Sequence, residues 1–166
     1  MHRVKLLAAA LMAAGLAACA TQGAMTVDVG STGGSNPKFR NAVAVRGVSG
    51  GQPMNVLTVP GVPNEPFKAA LEGSLQAKGY LANGSAARFY VDAEIQDLEQ
   101  PLIGLTYDVT ASVKYRVSGP GLNATYPITT KASASMSDSP IGADRMRIAN
   151  ERAMQQNIRQ FLVTLR

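Results

Sequence analysis

The chain has 166 residues, enough for one compact domain and too few for two. It is 46% hydrophobic and 16% charged, the balance of an ordinary globular protein. Its formal charge of +5 is spread along the sequence with no Lys/Arg-rich run, and aromatics are 5% with no Trp. Those features argue against a nucleic-acid partner, which calls for a basic patch or stacking rings, and leave only a mild preference for anionic surfaces.

Residues 1–18 read as a secretory signal. His2, Arg3 and Lys5 form a positive head, and an apolar stretch from Leu6 to Leu16 follows, too short to cross a bilayer as a transmembrane helix. The stretch ends in Leu16-Ala17-Ala18-Cys19, which resembles the bacterial lipobox at all four positions. The resemblance implies that the Cys19 thiol receives a diacylglyceryl group, that cleavage falls before it, and that the new amine is acylated. Of the common side chains, Cys most readily supplies a nucleophilic thiolate near neutral pH. Several acyl chains, at about 0.8 kcal/mol per buried methylene, anchor a protein effectively permanently. Ala20 after the Cys resembles the pattern of lipoproteins sent on to the outer membrane. The alternative is an ordinary cleaved signal followed by a chance Cys.

His2 is the only histidine and departs with the signal, and Cys19 is the only cysteine. Residues 20–166 therefore contain neither residue type, which removes Ser-His-Asp and Cys-His catalysis and the usual zinc sites. No metal and no cofactor is expected, and the chain is expected not to be an enzyme. From Ala20 to about Lys38 the composition is small and polar, and residues 19–38 read as the lipidated Cys plus a flexible tether. Residues 39–166 read as a single domain.

The domain opens with a short strand, "NAVAVRGV" (41–48), and "MNVLTV" (54–59) is a weaker extended candidate. A helix follows, with Asn64 as N-cap, Glu65 and Pro66 in the first turn, and Gly79 just past the end. Phe67, Ala70, Leu71, Ser74 and Leu75 share its apolar face. Three alternating segments come next: "RFYVDAEI" (88–95), "LTYDVTASVKYRV" (105–117) and "ATYPITTKASASM" (124–136). Their alternation predicts an antiparallel sheet with one buried face, the buried set running from Leu105 in the second and to Met136 in the third. Pro127 marks an edge or a bulge. A last helix begins at Ser139-Pro140 and carries an apolar stripe of Met154, Ile158, Phe161, Leu162 and Leu165. The expected fold is α+β: a two-layer β-α-β-β-β-α sandwich, with about four antiparallel strands and two helices on one face.

Four features carry candidate chemistry. Asp92, Glu94, Asp97 and Glu99 offer an acid/base pair, but Lys114, Arg116 and Lys131 across neighbouring strands account for such carboxylates as ion pairs. The serines of "KASASMSDS" lack an activating histidine, and neither Gly33-Gly34 nor Gly50-Gly51 fits a phosphate loop. Arg145, Arg152, Arg159 and Arg166 recur every seventh residue, drifting about 20° per step along one side of the last helix. They form either a solvated basic face or a row for headgroup phosphates, lipopolysaccharide or an acidic partner. Leu102 and Ile103 fall at a hairpin tip, either inserting into a partner or lipid or folding back under the helix ends.

The lipobox "LAAC", the Gly/Ser tether and the domain order together resemble small envelope lipoproteins of Gram-negative bacteria. The layout is similar to the lipopolysaccharide-assembly type and to the YajG type. That resemblance implies a lipid anchor in the outer membrane, facing the periplasm, and a partner that is an envelope protein or lipopolysaccharide. It implies a binding or assembly module, with a lipid-handling transport subunit as the alternative, which would need an apolar groove beneath the helices.

Overall fold

The computed structural model describes residues 24–53 and 60–165. Four strands form one sheet in the order β1-β2-β3-β4: β1 (Val43–Ser49), β2 (Phe89–Glu99), β3 (Tyr107–Gly119) and β4 (Leu122–Ala134). Helix α1 (Asn64–Ala77) lies between β1 and β2, and α2 (Gly142–Thr164) closes the chain. The fold is α+β, as expected. The strands β2, β3 and β4 are antiparallel, joined by hairpin connections. In a departure from the antiparallel expectation, β1 pairs with β2 in parallel. The reason is topological: α1 carries the chain back along the sheet, so β2 starts from the same end as β1. The 54–59 strand candidate, Cys19 and Arg166 lie outside the described residues.

The buried face of α1 is Phe67, Ala70, Leu71, Ser74 and Leu75, the set that the spacing predicts. Gly79 takes φ +73 just past the helix, a conformation open to glycine without strain. Asn64 does not cap α1; its side-chain oxygen accepts from Gly51 N at 2.7 Å and ties the end of β1 to the helix start. Helix α2 crosses β3 and β4, and the Phe161 ring stacks on Tyr115 with centroids 4.1 Å apart. The Tyr115 hydroxyl donates to Asn157 Oδ1 at 2.9 Å, and Asn157 Nδ2 donates to the carbonyls of Ala111 and Ile128 at 3.1 and 2.9 Å. One buried amide thus joins α2 to both strands beneath it, with its polar atoms satisfied. Burial pushes the Tyr115 hydroxyl pKa well above 10.

Opposite the helices the sheet is polar and paired. Arg46 bonds Asp92, and Glu94 accepts from Lys114 at 2.8 Å and Arg116 at 2.9 Å. Lys131 stands 3.5 Å from Asp108. Arg46 is an extra residue in β1, since Val45 faces Val91 while Gly47 already faces Asp92.

The tether expectation fails from Met25 onward. Met25 is 0% exposed and Val27 2%. Val27 N donates to Ser74 Oγ at 3.0 Å on α1, and Gln155 Nε2 of α2 donates to Thr26 O at 2.8 Å. Lys78 Nζ then holds Thr32 Oγ1 and Gly33 O, both at 2.6 Å. Residues 25–33 are a strap bound to both helices. Two apolar side chains in a Gly-rich background suffice because α1 presents the small residues Gly73 and Ser74 where the strap crosses.

Candidate interaction surface

The β2–β3 connection, residues 100–106, stands at the sheet end where α2 begins. Its start is pinned by Gln100 Nε2, which donates to Pro60 O at 2.8 Å and to Asn150 Oδ1 at 2.7 Å. Asn150 Nδ2 also donates to Pro60 O, at 2.7 Å. Gly104 folds so closely on Thr106 that a Cβ there would lie 2.8 Å from the Thr106 carbonyl oxygen. Between these fixed points Leu102 and Ile103 are 84% and 87% exposed, and Leu105 is 72% exposed.

Of the two readings for the tip, the structure has Leu102 and Ile103 in solvent and not under the helix ends. Leu105 corrects the expectation that it faces the core: β3 begins only at Tyr107. Met136 is exposed for the matching reason, because β4 ends at Ala134, the partner of Tyr107. Ile141, just before α2, is exposed too. Alternation reports burial only where a helix covers the strand, and it continues in the sequence past that cover. Leu105, Met136 and Ile141 were therefore missed, although Pro101, Gly104 and Pro140 mark the chain leaving regular structure nearby.

Among the described residues, Arg145, Arg152 and Arg159 do not form one surface. Arg145 is 6% exposed. Its guanidinium turns inward, donating through Nη1 to Ser139 O and Pro140 O at 3.0 Å and through Nη2 to Gly104 O at 3.5 Å. It also lies over the Tyr107 ring at 5.3 Å. Arg145 is thus a brace that ties the 100–106 loop to the start of α2, not a contact for an outside anion. Arg152 donates to Ser133 O at 2.9 Å and pairs with Asp138 at 2.6 Å. That hydrogen bond, helped by the Ser135 N–H, holds the Asp138 carboxyl at a pKa of about 2. Arg159 is half-buried beside a shallow groove with Thr130, Gln156 and Gln160. A heptad repeat sets direction around the helix, but the turns packed on each step differ.

Three of the four acid/base candidates have partners as well. Asp92 and Glu94 sit in the ion pairs of the open face, and Lys114 holds the Glu94 carboxyl below its usual range. Asp97 accepts from Leu98 N at 2.8 Å. Among the described residues no group of three or more His, Cys, Asp or Glu is placed to hold a metal ion, and no helix is long and apolar enough to cross a membrane.

Neither a family model nor a curated protein sequence matches the chain. Among solved structures it is similar to a Xanthomonas campestris protein assigned to the DUF330 family, with a TM-score of 0.50 at 12% identity over 84% of this chain and 87% of that one. It also resembles a candidate lipoprotein from Caulobacter crescentus, with a TM-score of 0.49 at 12% identity over 77% of this chain and 90% of that one. A hypothetical protein from Chlamydia trachomatis gives 0.48 at 16% identity, over 73% and 95%. At such identities the Xanthomonas likeness establishes a shared fold, and the fold alone.

Proposed function

We propose that the protein is a lipoprotein anchored through Cys19 to the periplasmic face of the outer membrane. Its domain is a non-enzymatic binding module for an envelope component. The anchor rests on the leader ending in Leu16-Ala17-Ala18-Cys19. The observation that carries the binding role is the exposure of Leu102, Ile103 and Leu105 on one braced loop. Exposed apolar side chains grouped at one site mark a contact surface, whereas singly scattered ones do not. The packed interior counts against the lipid-handling alternative. Phe67, Leu71, Leu75, Ile158 and Phe161 are all fully buried in one cluster, where an acyl chain would have to lie.

Two experiments test this reading. Cells fed labelled palmitate should incorporate it into the wild-type chain and not into Cys19→Ala; equal labelling removes the anchor. A photo-crosslinker placed at Ile103 in intact cells should trap an envelope protein, lipid or lipopolysaccharide, while one at Asn123 should not. If Ile103 traps nothing, the apolar loop is not a binding surface.

A further inference from the structure

We infer that the apolar end formed by Leu102, Ile103, Leu105 and Ile141 seats in the interfacial zone of the bilayer that holds Cys19, so that the domain rests on the membrane with its 100–106 loop downward. The inference builds on the anchor and on the binding surface proposed above, and names the partner of that surface.

The path of the strap carries the argument. Thr32 sits at Lys78, Val27 at Ser74, and the Thr26 side chain 3.6 Å from where a Gly73 Cβ would be. Traced back toward the N-terminus, the chain therefore climbs α1 from its last residues toward its first. The first residues of α1 mark the end that bears the loop, because Pro60, four positions before Asn64, accepts from Gln100 and from Asn150. The nine helical steps from Gly73 back to Asn64 rise about 13.5 Å. The five residues from Ala24 back to Cys19 reach at most about 17 Å. The anchoring position thus comes within reach of the end where the exposed apolar side chains stand.

The chemistry of that end suits an apolar medium more than an anionic one. Its basic groups are engaged: Arg145 with carbonyls, Arg152 with Asp138, and Lys131 beside Asp108. Asp97 and Glu99 on the strand leading to the loop add negative charge. Phosphate attraction is therefore not what the end offers. Leu102 and Ile103 at the tip, with Leu105 and Ile141 at its flank, match the shallow apolar insertion of a surface-bound protein. Because Gln100 and Arg145 already brace the loop, presenting it costs little further ordering.

The test uses the full acylated protein reconstituted in vesicles of phosphatidylethanolamine and phosphatidylglycerol. With the Cys19 thiol blocked by its diacylglyceryl thioether, a polarity-sensitive fluorophore labels only the single introduced thiol in Ile103→Cys or Asn123→Cys. Emission from the Ile103 site should shift blue and be quenched by doxyl-labelled lipid, while the Asn123 site stays aqueous. High salt should leave the quenching unchanged, since apolar insertion is not screened. Adding Leu102→Asp and Leu105→Asp should return the Ile103 probe to water with the protein still vesicle-bound. An anchored protein whose Ile103 probe is aqueous from the outset overturns the inference and spares the anchor. A crosslink from that position to a protein, with no lipid quenching, also overturns it. If the unsubstituted chain takes up fluorophore at Cys19, the anchor is absent, and both readings fall together.

Discussion

Two connections join the three antiparallel strands, and they differ in everything except the task of reversing the chain. The β3–β4 turn needs only Pro120 and Gly121, with Gly121 at φ +67 and Gly119 paired directly with Leu122. The β2–β3 connection uses seven residues, leaves three large apolar side chains in solvent, and recruits Gln100, Asn150 and Arg145 to hold its shape. A sheet of this kind can be closed by two residues. The extra length and exposed apolar area at the other end are therefore not requirements of folding, and stability and surface chemistry should separate cleanly between the two regions.

The largest effect should come from neither connection but from the layer between them. Phe161→Ala removes the ring stacked on Tyr115 and should cost about 3–5 kcal/mol in urea unfolding. A loss below about 1 kcal/mol would mean that α2 is not seated as described. Asn157→Ala leaves the Tyr115 hydroxyl and two strand carbonyls without their partner, for an expected loss of about 2 kcal/mol. If the loss were near zero, water would have to replace the amide. At the tight turn, Gly121→Ala places a Cβ on a left-handed residue and should cost about 1 kcal/mol.

At the long connection, Leu102→Ser combined with Ile103→Ser should change stability by less than about 0.5 kcal/mol, because both side chains already stand in water. A large destabilisation would show that the tip belongs to the core after all, and the contrast between the two connections would collapse. The smallest effect should be the acid dependence of the β4–α2 turn. The Asp138 carboxyl has a folded pKa of about 2 against an ordinary 3.8. Its contribution is therefore present above pH 3.8 and lost as pH falls from there through about 2. Asp138→Asn should flatten that part of the stability profile; an unchanged profile would mean that the Arg152 pair is not formed in solution.

Periodicity made the helices and strands legible where one layer covers another. The five buried residues of α1 follow from spacing alone, and Pro127 does fall on the edge strand β4. The parallel pairing of β1 was latent in the order strand-helix-strand, but alternation carries no information about strand direction. The strap was illegible for a different reason. Met25 and Val27 are too few to register as a pattern, and what holds them is a groove made by small residues about fifty positions later. Arg145 shows the same limit at one residue. Its place in the heptad row was readable, but the carbonyls of Ser139, Pro140 and Gly104 that turn it inward are products of the folded turn. Leu102 and Ile103 were readable as residues of a loop tip, but whether they stand in solvent or fold back under the helix ends depends on how the folded loop is braced, which spacing does not carry.

Under the proposed anchor at Cys19, the strap would also set how often the domain meets the membrane. A free linker from Cys19 to Lys38 would let the domain roam a wide volume above its point of attachment. With Met25 and Val27 fixed across both helices, only five residue steps of sequence separate Ala24 from Cys19. A tether that short raises the local concentration of the two attached parts to the millimolar range or above. If Cys19 is anchored as proposed, a contact too weak to form between separate molecules would be occupied most of the time, and a few apolar side chains would suffice where a soluble protein would need a broad interface.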